Sequence, residues 1–282
     1  GEHARERWRV STGEESDAPP VDGDAWPSSV TPVIENLEVG VVRTRAAHED
    51  VSEIRETEHL HLRMIENAAR HIFIENQYLT AGRIGAALAA RLADGDPPEV
   101  VAVTSKENEG WLEQITMGGL RARWCAELSL ADVDGRFGVF YPVDRKGVPV
   151  TIHSKLMTVD DRFLYHGSAN LSNRSMSLDT ECGLAIEAGD REDVVKAIRG
   201  LRLQLLAEHL GSDTAHLAEI DASGSIKNAV ESLAGGGRTL EVLSPDEQEI
   251  PDALEPIAEI ADPNAAFSLL GVTIGSESEP DE

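Results

Sequence analysis

The chain of 282 residues is strongly acidic, with 51 Asp and Glu against 25 Lys and Arg and a formal net charge of −26. A surface of this sign repels phosphate backbones at long range, so we expect no nucleic-acid partner. The sequence has no apolar run of membrane-spanning length and no start typical of a signal peptide. We therefore expect a soluble protein that is cytoplasmic or peripherally attached to a membrane rather than secreted.

The first 32 residues have the pattern of a helix end followed by a linker. Residues 2–9 have the composition of the last turns of a helix, and residues 11–32 are rich in Pro, Gly, Asp and Ser. This pattern predicts that residues 1–32 are the end of an upstream unit plus a linker.

Strands and helices alternate between residues 37 and 210. The predicted strands are 37–44, 71–75, 99–104, 136–141, 152–159, 163–167 and 182–187, and the predicted helices are 51–70, 84–93, 111–128 and 191–210. This order predicts an α/β fold over residues 33–212, with a mixed central β-sheet flanked by helices on both faces.

The last 70 residues have a weaker pattern. Short helices are predicted at 214–220 and 225–233, and residues 238–282 are acidic, contain Pro and hold few aromatic residues. We therefore expect residues 213–282 to form short helices and an acidic, extended tail. The cysteines, Cys125 and Cys182, form no metal-ligand spacing, so we expect buried free thiols and no bound metal.

One run of residues carries chemistry. His153-Ser154-Lys155 opens a predicted strand that reaches Asp160, and Gly167-Ser168-Ala169-Asn170 follows the next strand. A neutral imidazole can attack phosphorus, an ammonium two residues along a strand projects to the same face, and a hydroxyl and an amide can hold phosphoryl oxygens. Taken singly, His153 could be a core histidine, Lys155 a surface lysine, and the Gly-Ser-Ala-Asn run a simple turn. Together they favour a phosphate site, with Ser154 turned away.

The run resembles the His-x-Lys-x4-Asp signature of the phospholipase D superfamily, and the resemblance continues to Cys182. Residues 72–78, Ile-Phe-Ile-Glu-Asn-Gln-Tyr, resemble the strand before the second motif of two-motif members. The resemblance covers roughly residues 30–210, and one His-x-Lys-x4-Asp run occurs in this sequence where two-motif members have two. In such members the first catalytic half ends at the place of the helix end and linker in residues 1–32, so the resemblance implies the C-terminal half of a two-motif enzyme.

The resemblance also implies roles for the site residues. One motif histidine attacks phosphorus and the other protonates the leaving alcohol; the downstream position favours the acid for His153. Lys155, Ser168 and Asn170 are expected to hold the phosphoryl oxygens, and Gly167 to allow close backbone approach. Glu181 is expected to hydrogen-bond a motif histidine, with a solvated glutamate as the alternative. Asn76 and Gln77 are candidates for the pocket.

Asp160 completes the signature but is predicted to be structural. It lies an odd number of residues from His153 and precedes Asp161-Arg162, which is typical of a hairpin turn. We expect it to fix the backbone away from the phosphate.

The implied function is cleavage of the phosphate–headgroup bond of a glycerophospholipid through a phosphohistidine, with transfer to another alcohol as a second outcome. No cofactor is expected. The expected partners are a phospholipid, peripheral membrane contact, and a missing N-terminal catalytic half or a second copy of the chain. The alternatives are a catalytically incomplete or phosphate-binding half, a phosphatidyltransferase similar to cardiolipin synthase, and a nuclease of the same superfamily.

Overall fold

The computed structural model describes residues 1–18, 20, 22–23, 26–48, 51–107, 111–222, 224–235, 237–244, 260–264, 267–269 and 272–274. Contacts divide the chain into two compact units, Gly1–Glu35 and Asn36–Glu282. In the first unit, helix α1 spans Glu2–Thr12 and ends at Gly13, whose φ of 72° is the left-handed conformation typical of a helix C-cap.

The second unit is built from alternating strands and helices. Its strands are β1 (Gly40–Arg45), β2 (Ile54–Arg55), β3 (His71–Asn76), β4 (Glu99–Val103), β5 (Phe137–Val143), β6 (Lys155–Val159), β7 (Phe163–Gly167), β8 (Glu181–Glu187), β9 (Thr239–Val242), β10 (Phe267–Leu269) and β11 (Val272–Ile274). Its helices are α2 (Glu56–Glu66), α3 (Gly82–Leu92), α4 (Trp111–Ala131), α5 (Asn173–Ser177), α6 (Glu192–Leu210), α7 (Thr214–Asp221) and α8 (Ile226–Leu233).

Nine of the described strands form one mixed sheet in the order β2-β1-β8-β7-β6-β3-β4-β5-β9. The β3–β4 and β4–β5 pairs are parallel, and the other pairs in this sheet are antiparallel. Strands β10 and β11 form a separate antiparallel pair. Strand β6 lies at the centre of the sheet, where both of its edges are paired, and its five residues are all buried.

Two apolar cores lie on opposite faces of the sheet. Alternate strand residues such as Ile72 and Ile74 pack with α2, α3 and α4, whereas Phe73 between them packs with α6, α7 and α8. Successive side chains of a strand point to opposite faces, so each face has its own helical cover. The structure confirms the predicted mixed sheet with helices on both faces.

A buried ion-pair network closes the end of the sheet where β6 turns into β7. Asp160 and Asp161 occupy this turn with φ values of 54° and 58°. Both oxygens of Asp161 accept hydrogen bonds from the guanidinium of Arg202 in α6, at 2.7 and 2.8 Å, and Arg202 Nη1 also donates to Asp221 at 2.8 Å. Burial raises the pKa of Asp161, but His71 and Arg202 together hold it well below its usual range. The network joins the turn to α6 and α7.

Several local expectations differ from the structure. Strand β6 begins at Lys155 rather than at residue 152, because no ladder pairs the residues before Lys155. The predicted helix over 51–70 is shorter, since Ile54 and Arg55 pair with β1 before α2 begins at Glu56.

The described start of the expected extended tail contributes a strand to the sheet, whereas residues 245–259, 265–266, 270–271 and 275–282 of that tail lie outside the described residues. Strand β9 pairs with β5, and Leu240 is buried among residues of α6 and α8. Burial of Leu240 and completion of the β5 ladder stabilise this strand despite its exposed outer residues.

Both cysteines are free, and Cys125 is buried. The expectation for Cys182 is wrong, because its side chain is exposed on β8, on a stretch of sheet where Val41 and Leu184 are exposed too. Throughout the described residues, no helix has the combination of length and apolarity that crossing a bilayer requires.

Candidate active site

Strand directions bring the candidate residues to one edge of the sheet. Asn76 at the end of β3 is opposite Lys155 at the start of β6, and Gly167 at the end of β7 is opposite Gly183 near the start of β8. The antiparallel pairing of β6 with both neighbours therefore places the loops after β3 and β7 beside the segment that carries His153.

His153 is exposed and precedes β6 in an irregular segment. The strand alternation expected to align His153 with Lys155 therefore does not extend to His153. Ser154 is turned to the face of the sheet opposite Lys155, as expected. Its hydroxyl donates to Glu75, which shares a face of β3 with Phe73 and therefore lies on the side covered by α6, α7 and α8.

Lys155 is a buried cation, with 6% of its surface exposed. Its Nζ donates to Gln77 Oε1 at 3.1 Å and to the carbonyl oxygen of His153 at 2.7 Å. Burial lowers the pKa of Lys155, and the negative charge of Glu181 opposes that shift without cancelling it. Two neutral oxygens and one nearby carboxylate thus surround an ammonium that retains one further N–H for another acceptor.

Ser168 and Glu181 form a pair across the β7–β8 edge. The Ser168 hydroxyl donates to Glu181 Oε2, and Ser168 Oγ accepts from the backbone N–H of Cys182 at 3.1 Å. Within the described residues no histidine hydrogen-bonds Glu181, so here its carboxylate orients a hydroxyl and adds negative charge near Lys155. A phosphoryl oxygen would have to compete with Glu181 for the Ser168 hydrogen.

Asn170 lines a cavity of about 420 Å³ together with Tyr78, Glu113, Arg174 and Asp179. The side-chain oxygen of Asn170 is buried and has no hydrogen-bond partner among the described residues. An unsatisfied buried polar atom costs free energy, so it is a natural contact for a bound donor. The cavity is mainly apolar, and Tyr78 donates to Glu113 at its wall.

The two candidate residues after β3 have different positions. Gln77 contacts Lys155, as described above, whereas Asn76 is 1% exposed and braces the backbone. Asn76 Oδ1 accepts from the N–H groups of Tyr78 at 3.2 Å and Leu171 at 3.0 Å. The carbonyl of Leu171 in turn accepts from the N–H groups of residues 80 and 81. Asn76 thus holds the loop after β3 and the loop after β7 together.

Gly167 lies where two strands and a tyrosine approach closely. A Cβ at this position would be 2.6 Å from Gly183 Cα and 2.6 Å from the Tyr165 hydroxyl oxygen. Glycine is needed at this position because atoms of β8 and Tyr165 occupy the space that a Cβ would take, one residue before Ser168.

Asp160 lies at the other end of β6. Its carboxylate accepts from the backbone N–H groups of residues 69, 70 and 71 at 2.7–2.9 Å, and Arg70 donates to its carbonyl oxygen at 2.8 Å. These contacts fix the start of β3, which is the kind of role that the sequence predicts for Asp160.

Two contributors to the site were missed by the sequence analysis. Buried Glu75 hydrogen-bonds both Ser154 and His209 of α6. Asp262 accepts from the N–H groups of Asn173 and Arg174 at the start of α5 and from the Thr80 hydroxyl, and thereby lines the Asn170 cavity. A charged residue directly after the apolar run 72–74 of a predicted strand was the available signal for Glu75. No local signal existed for Asp262, whose partners are 88 to 182 positions away.

The described residues contain no group of three or more His, Cys, Asp or Glu side chains arranged to hold a metal ion. The site is instead a polar sheet edge with one buried ammonium, one exposed imidazole and hydrogen-bonding groups on two braced loops.

The comparison with known families matches residues 61–200 to a model described as "Cardiolipin synthase, PLD-like domain". Among curated relatives, phospholipase D zeta 1 of Arabidopsis thaliana is 42% identical over 82 residues, which is 25% of this chain and 8% of that protein. Phospholipase D of Phytophthora infestans is 41% identical over 97 residues, which is 30% of this chain and 5% of that protein. The matches therefore cover only a small part of each relative.

Two solved structures are similar over larger parts of the chain. Nuc, a phospholipase D family member from Salmonella typhimurium, is 19% identical with a TM-score of 0.37, covering 53% of this chain and 82% of that one. Phosphatidylserine synthase of Haemophilus influenzae is 17% identical with a TM-score of 0.48, covering 90% of this chain and 49% of that one. With the family match over residues 61–200 and relatives named phospholipase D, this domain of the chain belongs to the phospholipase D superfamily.

Proposed function

We propose that this chain supplies one motif of a phospholipase D-like phosphodiesterase that cleaves the phosphate–headgroup bond of a glycerophospholipid. The observation that carries the proposal is the buried ammonium of Lys155 at the sheet edge, in a chain whose net charge is −26. A buried cation is costly unless it is paired or solvated by polar groups. A phosphate diester would supply the negative charge at this place.

The proposed chemistry assigns each group one task. A histidine from a second motif attacks phosphorus, the bond from phosphorus to the headgroup oxygen breaks, and His153 gives its proton to the leaving alcohol. Lys155, through its remaining N–H, and Asn170, through its side-chain amide N–H, donate to the phosphoryl oxygens, where charge increases in the transition state. Water then attacks the phosphohistidine, returns the histidine and leaves phosphatidic acid. An alcohol in place of water would give a new phosphodiester.

The second histidine is proposed to come from another polypeptide segment or a second copy of the chain, since the sequence holds one His-x-Lys-x4-Asp run. The competing function is phosphate or lipid binding without turnover. The relatives named phospholipase D favour the lipid substrate, and the net charge disfavours a nucleic acid.

The test is release of headgroup from mixed phospholipid micelles without added metal, across protein concentration. His153→Ala is compared with wild type and with His166→Ala, a variant of an exposed histidine on β7 that pairs with Leu156 across the sheet. We expect activity that rises faster than linearly with concentration if two copies build the site, that is lost in His153→Ala, and that persists in His166→Ala.

A second measurement separates the alternatives when turnover is absent. Binding of inorganic phosphate is followed by the histidine ring signals in NMR, with Lys155→Ala as the site variant and the exposed Lys146→Ala as its control. Phosphate binding without turnover, lost only in Lys155→Ala, supports the non-catalytic half. No phosphate binding by a folded sample contradicts the proposed site. Faster cleavage of a single-stranded oligonucleotide than of lipid would move the assignment to a nuclease.

A further inference from the structure

The backbone that carries His153 is held by side chains rather than by a strand ladder. Residues 151–154 precede β6, and their fixation comes from their neighbours. The N–H of Ile152 donates to Ser105 Oγ at 2.8 Å, and Lys155 Nζ donates to the His153 carbonyl at 2.7 Å. Hydrogen bonds of individual side chains therefore determine where the His153 imidazole can lie.

Ser154 forms the third of these attachments. Its hydroxyl donates to Oε1 of Glu75, a residue of β3 that is only 4% exposed. Oε2 of the same carboxylate accepts from Nε2 of His209, at a distance of 2.9 Å. His209 is 7% exposed and lies in the last turn of α6. One buried carboxylate thus joins the segment before β6 to the helix that covers this face of the sheet.

The environment keeps this carboxylate charged. Burial raises the pKa of Glu75, but the hydrogen bonds from His209 and Ser154 and the charge of His209 bring it below its usual value. Removing a carboxylate from water is costly, and a hydrophobic residue in its place would pack against the same core at no such cost. What the buried Glu75–His209 pair provides, and an apolar side chain could not, is an acceptor for the Ser154 hydroxyl.

Glu75 and Lys155 act on opposite faces of the sheet. Phe73, two residues before Glu75, packs in the core under α6, whereas Met157, two residues after Lys155, packs in the core under α2 and α3. Glu75 consequently stays away from the phosphate-binding face, and its influence must pass through the Ser154 main chain to the residues on either side.

We propose that Glu75 and His209 form a positioning pair that holds Ser154 and thereby aligns His153 and Lys155 with the phosphate. This inference rests on the proposed function in taking His153 and Lys155 as the phosphate-contacting residues. Glu75 and His209 are positioning residues, since they contact Ser154 and each other and no reacting atom.

The test measures inorganic phosphate binding and the His153 ring signals by NMR in four variants of the pair. Glu75→Gln and Ser154→Ala alter the attachment of Ser154, His209→Leu removes the donor to Glu75, and His209→Gln keeps one. The control is Glu99→Gln on neighbouring β4. Glu99 is an equally buried carboxylate that accepts from the Ser225 hydroxyl and from the Ile226 N–H at 2.7 Å, at the opposite end of the sheet.

We expect Glu75→Gln, Ser154→Ala and His209→Leu to weaken phosphate binding about tenfold or more and to move the His153 ring signals, because small misplacements of site groups have large effects. His209→Gln should recover most of the binding, and Glu99→Gln should retain it even where the unfolding midpoint falls. This pattern separates positioning from general loss of stability.

Two results would contradict the proposed positioning role of Glu75 and His209. One is a folded Glu75→Gln protein with wild-type phosphate affinity and unmoved His153 signals; the other is an equal loss of affinity in Glu99→Gln. If wild type itself binds no phosphate, the proposed function fails, and the His153 ring signals alone decide the pair. Signals that move in Glu75→Gln but not in Glu99→Gln support it, and signals unmoved in both contradict it.

Discussion

At the scale of single residues, His61 is a buried base next to Tyr165, the tyrosine that lies close to Gly167. It is 1% exposed, its Nδ1 is 2.7 Å from the Thr57 carbonyl oxygen, and its ring centroid is 4.4 Å from that of Tyr165. Burial lowers the pKa of His61 from 6.5 to about 4, although the hydrogen bond to Thr57 opposes the shift. The folded protein therefore favours a neutral imidazole at this position.

This residue predicts a loss of stability in mild acid. In the unfolded chain His61 takes up a proton below pH 6.5, whereas in the folded protein it does so only near pH 4. The unfolded state binds more protons in that window, so the free energy of unfolding falls as the pH falls from 6.5 to 4, by up to about 3 kcal/mol for this group. Urea unfolding at several pH values measures it.

The matched variants are His61→Gln and His59→Gln, since His59 lies two residues away on the same helix and is exposed. The first should flatten the pH dependence between 6.5 and 4.5, and the second should leave it unchanged. An unchanged slope in His61→Gln would mean that other groups cause the loss.

At the scale of elements, the β7–β8 pair depends on two facing glycines. Gly167 and Gly183 are register partners, and a Cβ on Gly183 would lie 2.3 Å from Cε2 of Tyr165. Tyr165 is fully buried, and it fills the space that these glycines leave. Ser168 directly follows Gly167, so the close packing of β7 against β8 determines the position of the loop that carries Ser168 and Asn170.

Alanine substitutions at two glycines should therefore have opposite effects. Gly167→Ala forces backbone and ring apart and should destabilise the protein by about 1–3 kcal/mol. Gly200→Ala lies in α6, where an added methyl meets nothing within 4 Å, and should stabilise by about 0.5–1 kcal/mol through helix propensity. Thermal unfolding compares them. A Gly167→Ala protein as stable as wild type would show that β7 and β8 separate easily.

Strands of about five residues or more and helices of about eight or more could be predicted where their periodicity is local. β7 occupies the predicted residues, and α7 and α8 lie within one residue of theirs at each end. β2, with two residues, and α5, with five, are too short to give a period. β9 has one buried apolar side chain in a polar stretch, so its strand character comes from pairing with β5.

The site was predictable only in part, for a similar reason. The motif places Lys155, Ser168 and Asn170 within 16 positions of each other, so strand direction alone brings them to one edge. The contact of Glu75 with His209 spans 134 positions and depends on how α6 lies on the sheet. Side-chain pairs of that separation follow from the tertiary structure and leave no spacing in the sequence.

At the scale of the whole molecule, the charge of −26 opposes compactness. We expect the thermal unfolding midpoint to rise from about 10 mM to about 1 M NaCl, as the Debye length falls from about 30 Å to about 3 Å. Salt also weakens exposed ion pairs such as Arg191–Asp193, but such pairs contribute little. Sucrose at matched osmolality serves as the control. A midpoint that falls with NaCl would mean that attractive pairs outweigh the repulsion.

The strand β9 has a practical meaning for anyone who shortens this protein. A fragment that ends at residue 212 would leave the seven-residue β5 as an open edge, because β9 pairs along it from Thr239 to Val242 and Leu243 adds a further bond to Val139. It would also uncover the apolar face of α6 that packs around Leu240. An open edge beside an apolar patch recruits other chains, so such a fragment should collect in inclusion bodies, whereas one that continues through Leu243 keeps β5 paired and the apolar face of α6 covered by Leu240.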